Sequence, residues 1–159
     1  MNTATILGGG VRFCREPISD LIKDGMELFR ANALETSDDP NQPIKINTER
    51  YTKLEGAGRL VAFTARDKDD DLVGYSVVIL NEHPHKVDSI QSFQDVMYME
   101  PRHRGKYSME LMDYTSNQLK ELGVDYYYFP VKMKNALGKL LERKGFKKTE
   151  EIYLRSFYE

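Results

Sequence analysis

Cysteine, basic excess and long apolar runs are what this chain has least of, and each shortage argues against a class of protein. Its one cysteine, Cys14, has no partner for an internal disulfide, which fits a reducing compartment. Lysine and arginine number 23 against 25 acidic residues, so the formal charge is -2 and nothing suggests a general nucleic-acid binder. No apolar run approaches the ~20 residues of a membrane span. The opening "MNTATILGGGV" has neither a basic n-region nor a long apolar core, so secretion is not expected. Low-complexity tracts, internal repeats and linkers are also missing. The expectation is a soluble, cytoplasmic protein with one domain over residues 1–159.

What is present is ordinary globular chemistry, with 40% hydrophobic and 30% charged residues, enough apolar side chains for one core. After a short segment ending near Arg15, Ile18, Leu21, Ile22, Met26 and Phe29 recur at helical spacing. Thr36–Ile46 holds two prolines and no periodicity, so it reads as a loop. "NTERYTKLEGAG" reads as a short helix with Asn47 or Thr48 as its N-cap. Two β-branched runs around the acidic turn Asp67–Asp71 predict a hairpin. A third strand follows in "SFQDVMYME", where alternation sets Phe93, Asp95, Met97 and Met99 on one face. The next helix aligns Leu111, Met112, Thr115, Leu119 and Leu122 and closes at Gly123. "VDYYYFPV" predicts a strand, "NALGKLLERKG" a helix, and "FKKTEEIYLRSFY" a strand pair or one long strand. The expected fold is mixed α/β, with early antiparallel strands and a parallel βαβ unit from Phe93 to Val131.

Between the third strand and its helix lies "MEPRHRGKYSMELM". The first turn of a helix carries unpaired N–H groups and a partial positive charge, so this is a place for an anion. Arg104, Gly105 and Lys106 bring charge and close backbone approach, and Tyr107, Ser108 and Met109 bring amides. Taken alone, the same residues also describe a solvated turn.

"DVMYMEPRHRGKYSMELM" followed by "NALGKLLERKGF" resembles the GCN5-related N-acetyltransferase (GNAT) superfamily, most of all the small GNAT-like proteins of tailed bacteriophages. The likeness runs from about Tyr51 onward and includes the "EHPH" loop and the closing "IYLRSF". It implies a central mixed, mostly antiparallel sheet flanked by helices. It also implies acetyl-CoA as co-substrate and direct transfer of the acetyl group to an amine. By this resemblance Arg104, Gly105, Lys106 and the amides of Tyr107, Ser108 and Met109 hold the pyrophosphate. The strand backbone at Met97, Tyr98 and Met99 pairs with the pantetheine arm, and Asn135 lies near the cofactor. Read from Arg104, Tyr107 and Met109 replace the family's small glycines, and Leu141 stands where its usual tyrosine acid would be.

Asp95 stands six residues before Pro101, where many members hold a catalytic glutamate, so it is the general-base candidate. An aspartate bonded to loop amides is the alternative. His85, with His83, lies in the preceding loop and is either a base near neutral pH or simply exposed. Two histidines at that spacing do not make a metal site, and none is expected. Glu35 either charges the acceptor side or ends a solvated helix, and Asn135 is either a cofactor contact or an N-cap. Tyr98, Tyr126, Tyr128 and Tyr153 are strand aromatics whose default is packing. The expected partners are acetyl-CoA and an amine-bearing small molecule or protein, without nucleic acid or membrane, and edge strands make a homodimer reasonable. The cytoplasm would be a host's if the chain is phage-encoded. The competing expectation is a GNAT-fold chain that has lost catalysis and binds a protein.

Overall fold

The computed structural model describes residues 5–7, 10–38, 41, 43 and 45–157. The start of "MNTATILGGGV" and part of the Thr36–Ile46 loop lie outside them. The elements run β1 (Thr5–Leu7), β2 (Val11–Glu16), α1 (Ile18–Thr36), α2 (Thr48–Gly56), β3 (Leu60–Arg66), β4 (Leu72–Glu82), β5 (Ile90–Met99), α3 (Lys106–Glu121), β6 (Tyr126–Tyr128) and α4 (Leu137–Arg143). Among the described residues six strands form one sheet in sequence order, antiparallel throughout except for the parallel β5–β6 pair.

Each element follows from its residues. Pro17 starts α1, and the Glu55 carboxylate accepts from the Ile18 amide at 2.8 Å, satisfying one of the helix's open donors. Of the two caps the sequence offers, Asn47 and not Thr48 caps α2, accepting from the Arg50 amide at 3.0 Å. Asp67 shapes the hairpin turn, its Oδ1 accepting from the amides of Asp69 and Asp71. Pairing from Leu60↔Ile79 to Arg66↔Leu72 confirms that hairpin.

The two faces of the sheet have separate cores. Phe13, Phe63, Val73, Val78 and Met99 pack beneath Leu111, Tyr114 and Leu119 of α3. On the other face Leu60, Ala62, Tyr75, Val77 and Tyr98 pack against Ile18, Leu21 and Phe29 of α1.

Three expectations about the elements need correction. The segment before Arg15 contains two strands, because Phe13 and Cys14 find partners 52 and 50 residues on, at Ala65 and Thr64, and no local pattern announces such pairing. The parallel βαβ unit exists, but β6 is only three residues long. The tail forms neither a strand pair nor a long strand: residues 147–157 carry no regular structure.

Burial also makes stability depend on pH. Burial pushes the Tyr114 hydroxyl up from 10.0 to about 12 and raises that of Tyr75 as well. Both hold their protons more tightly folded than unfolded, so this stability is complete below pH ~10 and declines above it, by about 1.4 kcal/mol per pH unit for each. Denaturant midpoints should therefore fall from pH 9 to pH 11.5, and Tyr114→Phe should flatten the decline. An unchanged midpoint would remove these hydroxyls from the account.

Candidate functional site

The sheet opens along β5. On its β4 side the strand pairs from Ile90 to Met99, but on its β6 side only Gln91, Ser92 and Phe93 are paired. From Gln94 onward that second side has no ladder partner among the described residues. Glu100 donates its N–H to the Val73 carbonyl on β4 at 2.8 Å. Alternation therefore turns the N–H and C=O groups of Met97 and Met99 toward the gap and those of Tyr98 toward β4. Of the three residues expected to line the cofactor with backbone, Met97 and Met99 face the opening and Tyr98 does not.

At the head of the gap β5 bulges. Val96 pairs with Val77 and Gln94 with Val78, so Asp95 is an extra residue. The Gln94 amide repairs the interruption from within, donating to the carbonyls of Val96 (2.6 Å) and Val77 (3.1 Å) and to Ser76 Oγ (3.0 Å). Its Oε1 accepts from the Tyr127 hydroxyl, whose pKa burial raises well above the ordinary range, so it stays a donor.

The bulge overturns the expectation that Asp95 shares a face with Met97 and Met99. Both methionines pack with the α3-side core, whereas Asp95 turns to α2 and its Oδ2 accepts from the Tyr51 hydroxyl at 2.5 Å. Burial first, and then the Asp95 bond and charge, raise the pKa of Tyr51, which keeps it a donor. Asp95 itself is exposed, so its carboxylate is open to a ligand while Tyr51 fixes its direction. The same face carries Tyr98, whose hydroxyl lies 3.5 Å from Glu35. Sequence reasoning did not find Tyr51. It is 44 residues from Asp95 in a short helix, and its apolar spacing gives no signal of a polar partner.

At the other end of β5 the chain makes a single 3₁₀ turn over Pro101–His103 and enters α3 through Gly105. Gly105 has φ +85°, and a Cβ there would meet nothing within 4 Å. Its glycine thus answers to backbone conformation, not crowding. Arg104 does not extend freely into the gap. Its Nε donates to the Met99 carbonyl at 2.9 Å, and its Nη2 binds both Glu35 oxygens at 2.7 and 2.8 Å. Glu35 is therefore more than a solvated helix end: with Arg104 it ties α1 to the β5–α3 loop across one side of the cleft. The Met109 amide is taken by the Gly105 carbonyl at 3.1 Å, which removes Met109 from the expected anion-binding amides. The first turn that remains is Lys106, Tyr107 and Ser108. Tyr107 packs against the α3-side core and lines a cavity of ≈ 230 Å³ with Val11, Asp67, Lys68 and His103, its ring centroid 6.2 Å from that of His103.

Other expected residues lie elsewhere. His83 and His85 occupy the β4–β5 loop at the end of β5 remote from Arg104, where the His85 amide donates to His83 Nδ1. Asn135 is not an N-cap: it sits in a turn before α4, whose cap position is Ala136. Leu141 is buried in α4. Tyr126 contacts Lys86, Tyr128 stacks on Phe93 at 4.9 Å, and Tyr153 is exposed in the tail. Cys14 is buried, which pushes its thiol pKa up and away from nucleophilic use.

The fold that carries this arrangement is similar to that of several solved proteins. A ribosomal-protein-alanine N-acetyltransferase from Brucella melitensis biovar Abortus 2308 superposes with TM-score 0.74 over 94% of this chain and 99% of its own, at 19% identity. Glucosamine-6-phosphate N-acetyltransferase from Arabidopsis thaliana gives 0.70 over 93% and 99%, at 13% identity. An aminoglycoside acetyltransferase, meta-AAC0020, from an uncultured soil metagenomic sample, solved with sisomicin, gives 0.67 over 94% and 95%, at 15% identity. No protein-family model and no curated protein sequence matches the chain. What is shared is the fold.

Proposed function

We propose that residues 1–159 form one acyltransferase domain that moves an acetyl group from acetyl-CoA to an amine of a small molecule or protein. One observation carries the reading: the opening between β5 and β6 begins beside Asp95 and leads toward the Gly105 entry to α3. The residues present fit the co-substrate. Met97 supplies ladder groups for an amide-bearing arm, and the first turn of α3 with Lys106 supplies N–H groups and charge for a pyrophosphate. Acetyl-CoA, when bound, supplies a thioester whose acyl carbon accepts the amine nitrogen as its C–S bond breaks. Asp95, aimed by Tyr51, takes the proton that the acceptor nitrogen must lose. Arg104 holds the loop to Met99 and Glu35, so its contribution to the pyrophosphate is by positioning. The solved relatives named above act on an aminoglycoside, a sugar amine and a protein, and all three acceptor classes suit this reading. Neither nucleic acid nor membrane belongs to it, and among the described residues no helix is long and apolar enough to cross a bilayer.

Acetyl-CoA at saturation should raise the melting temperature, and Arg104→Ala should reduce or abolish the rise by freeing the loop. Absence of any shift in the folded wild-type chain would sink the proposal. It would favour the second reading, a binding module, to which Tyr107, Met109 and Leu141 at their positions point.

A further inference from the structure

The two sides of α2 carry different chemistry. On the inner side Tyr51 bonds Asp95, Leu54 packs on the α1-side core, and Glu55 accepts from the Ile18 amide. The other side borders a cavity of ≈ 350 Å³ lined by Asn47, Glu49, Arg50, Lys53, Ala57 and Arg59. That volume falls within the about 300–1,000 Å³ of small-molecule sites. None of these residues belongs to the gap beside β5.

The charges around the cavity are unbalanced. Arg50, Lys53 and Arg59 meet one carboxylate, Glu49, and Lys53 already holds it at 2.7 Å. Arg50 forms no ion pair among the described residues. Arg59 is held in place without being neutralised, because its guanidinium donates to the uncharged Asn81 side-chain carbonyl. Its backbone is fixed as well: its N–H donates to the Leu54 carbonyl and its C=O accepts from the Leu80 amide, each at 2.8 Å. An arginine positioned by a neutral oxygen keeps its charge for a ligand. Two guanidiniums on different elements suit one tetrahedral dianion, whose oxygens accept from both, whereas a carboxylate is satisfied by a single fork.

We propose that this cavity binds a phosphomonoester, and that the bound phosphate clamps α2 to the start of β3. The clamp matters because α2 is weakly held. It has 9 residues, none fully buried, and isolated helices below ~12–15 residues are marginal in water. Tyr51 directly follows Arg50, so steadying this helix steadies the hydroxyl that aims Asp95. The site stands independently of acetyl transfer.

Amide hydrogen exchange on the full chain reads the clamp. Methyl phosphate at about ten times its Kd should slow exchange of the α2 amides by about tenfold. Acetate or chloride at the same ionic strength should not. Arg50→Gln/Arg59→Gln should abolish the slowing with an unchanged circular dichroism spectrum. Arg50→Gln alone, on an exposed helix face, should lose most of it. Equal slowing in the double variant overturns the proposal, as does equal slowing by acetate. So does a wild type in which methyl phosphate leaves α2 exchange unchanged.

Discussion

Asp95→Asn is expected to slow acetyl transfer by about 10²–10⁴-fold while acetyl-CoA still raises the melting temperature. The substitution is nearly isosteric, and an asparagine carbonyl still accepts the Tyr51 hydroxyl that now lies 2.5 Å from Oδ2. What disappears is the ability to take a proton. The position explains the size of the effect. The bulge makes Asp95 the residue that does not fit the ladder, so its side chain leaves the face of Met97 and Met99 and turns toward α2. Tyr51→Phe should fall between wild type and Asp95→Asn, because it loosens the carboxylate's direction but leaves the carboxylate. Both are read by thiol release from acetyl-CoA over a panel of polyamines, aminoglycosides and amino-terminal peptides. Wild-type turnover in Asp95→Asn would remove the residue from the chemistry, whatever becomes of cofactor binding.

Local periodicity was a good guide where an element's partners are generic. Ile18, Leu21 and Phe29 repeat at helical spacing, and all three are buried in α1. The acidic turn could be read because Asp67 bonds to amides two and four residues on, within the reach of a sequence pattern. Periodicity fails where long-range pairing decides. β2 exists because Phe13 finds Ala65 across the sheet, and the bulge because β4 sets the register on both sides of Asp95. A strict period of two cannot contain an extra residue. The tail has strand composition, but a strand forms only against an edge, and its own chain does not turn it back to one.

For the site, residue types could be read and pairings could not. Asp95 is singled out by its place relative to Pro101, and Arg104 and Gly105 by the loop that enters α3. Yet Arg104 spends its guanidinium on Glu35, 69 residues earlier, and Asp95 takes its orientation from Tyr51. Such pairings depend on how α1 and α2 lie across the sheet, which single-sequence spacing does not encode. Tyr107 stands where the resemblance sets a small glycine, and its ring lines a cavity with Val11, Asp67 and Lys68, a placement that spacing does not encode.

Arg66→Met is expected to cost about 3–5 kcal/mol, a large share of the about 5–15 kcal/mol that holds a domain together. Arg66 ends β3, is 6% exposed and sits where β2, β3 and α1 meet. Its Nε lies 3.1 and 3.2 Å from the Glu16 oxygens, its Nη2 2.8 Å from Asp24, and its Nη1 3.0 Å from the Asp70 carbonyl. Burial alone would lower its pKa, but the bonds to Glu16 and Asp24 outweigh that and raise it. Methionine keeps the stem packing and removes the charge, leaving two carboxylates facing each other with no cation between them. The loss should appear as a lower denaturant midpoint at unchanged slope. Arg66→Met/Glu16→Gln/Asp24→Asn should recover part of it, because the deficit comes from unpaired charge and not from a cavity. A loss below about 1 kcal/mol in the single variant would mean that water already reaches the cluster. Asp24 belongs to the same helix as Glu35, so the cluster anchors the helix that reaches Arg104, and the single variant should also weaken acetyl-CoA binding. The triple variant should recover part of the binding along with part of the stability, since both follow from how firmly α1 is held to β3.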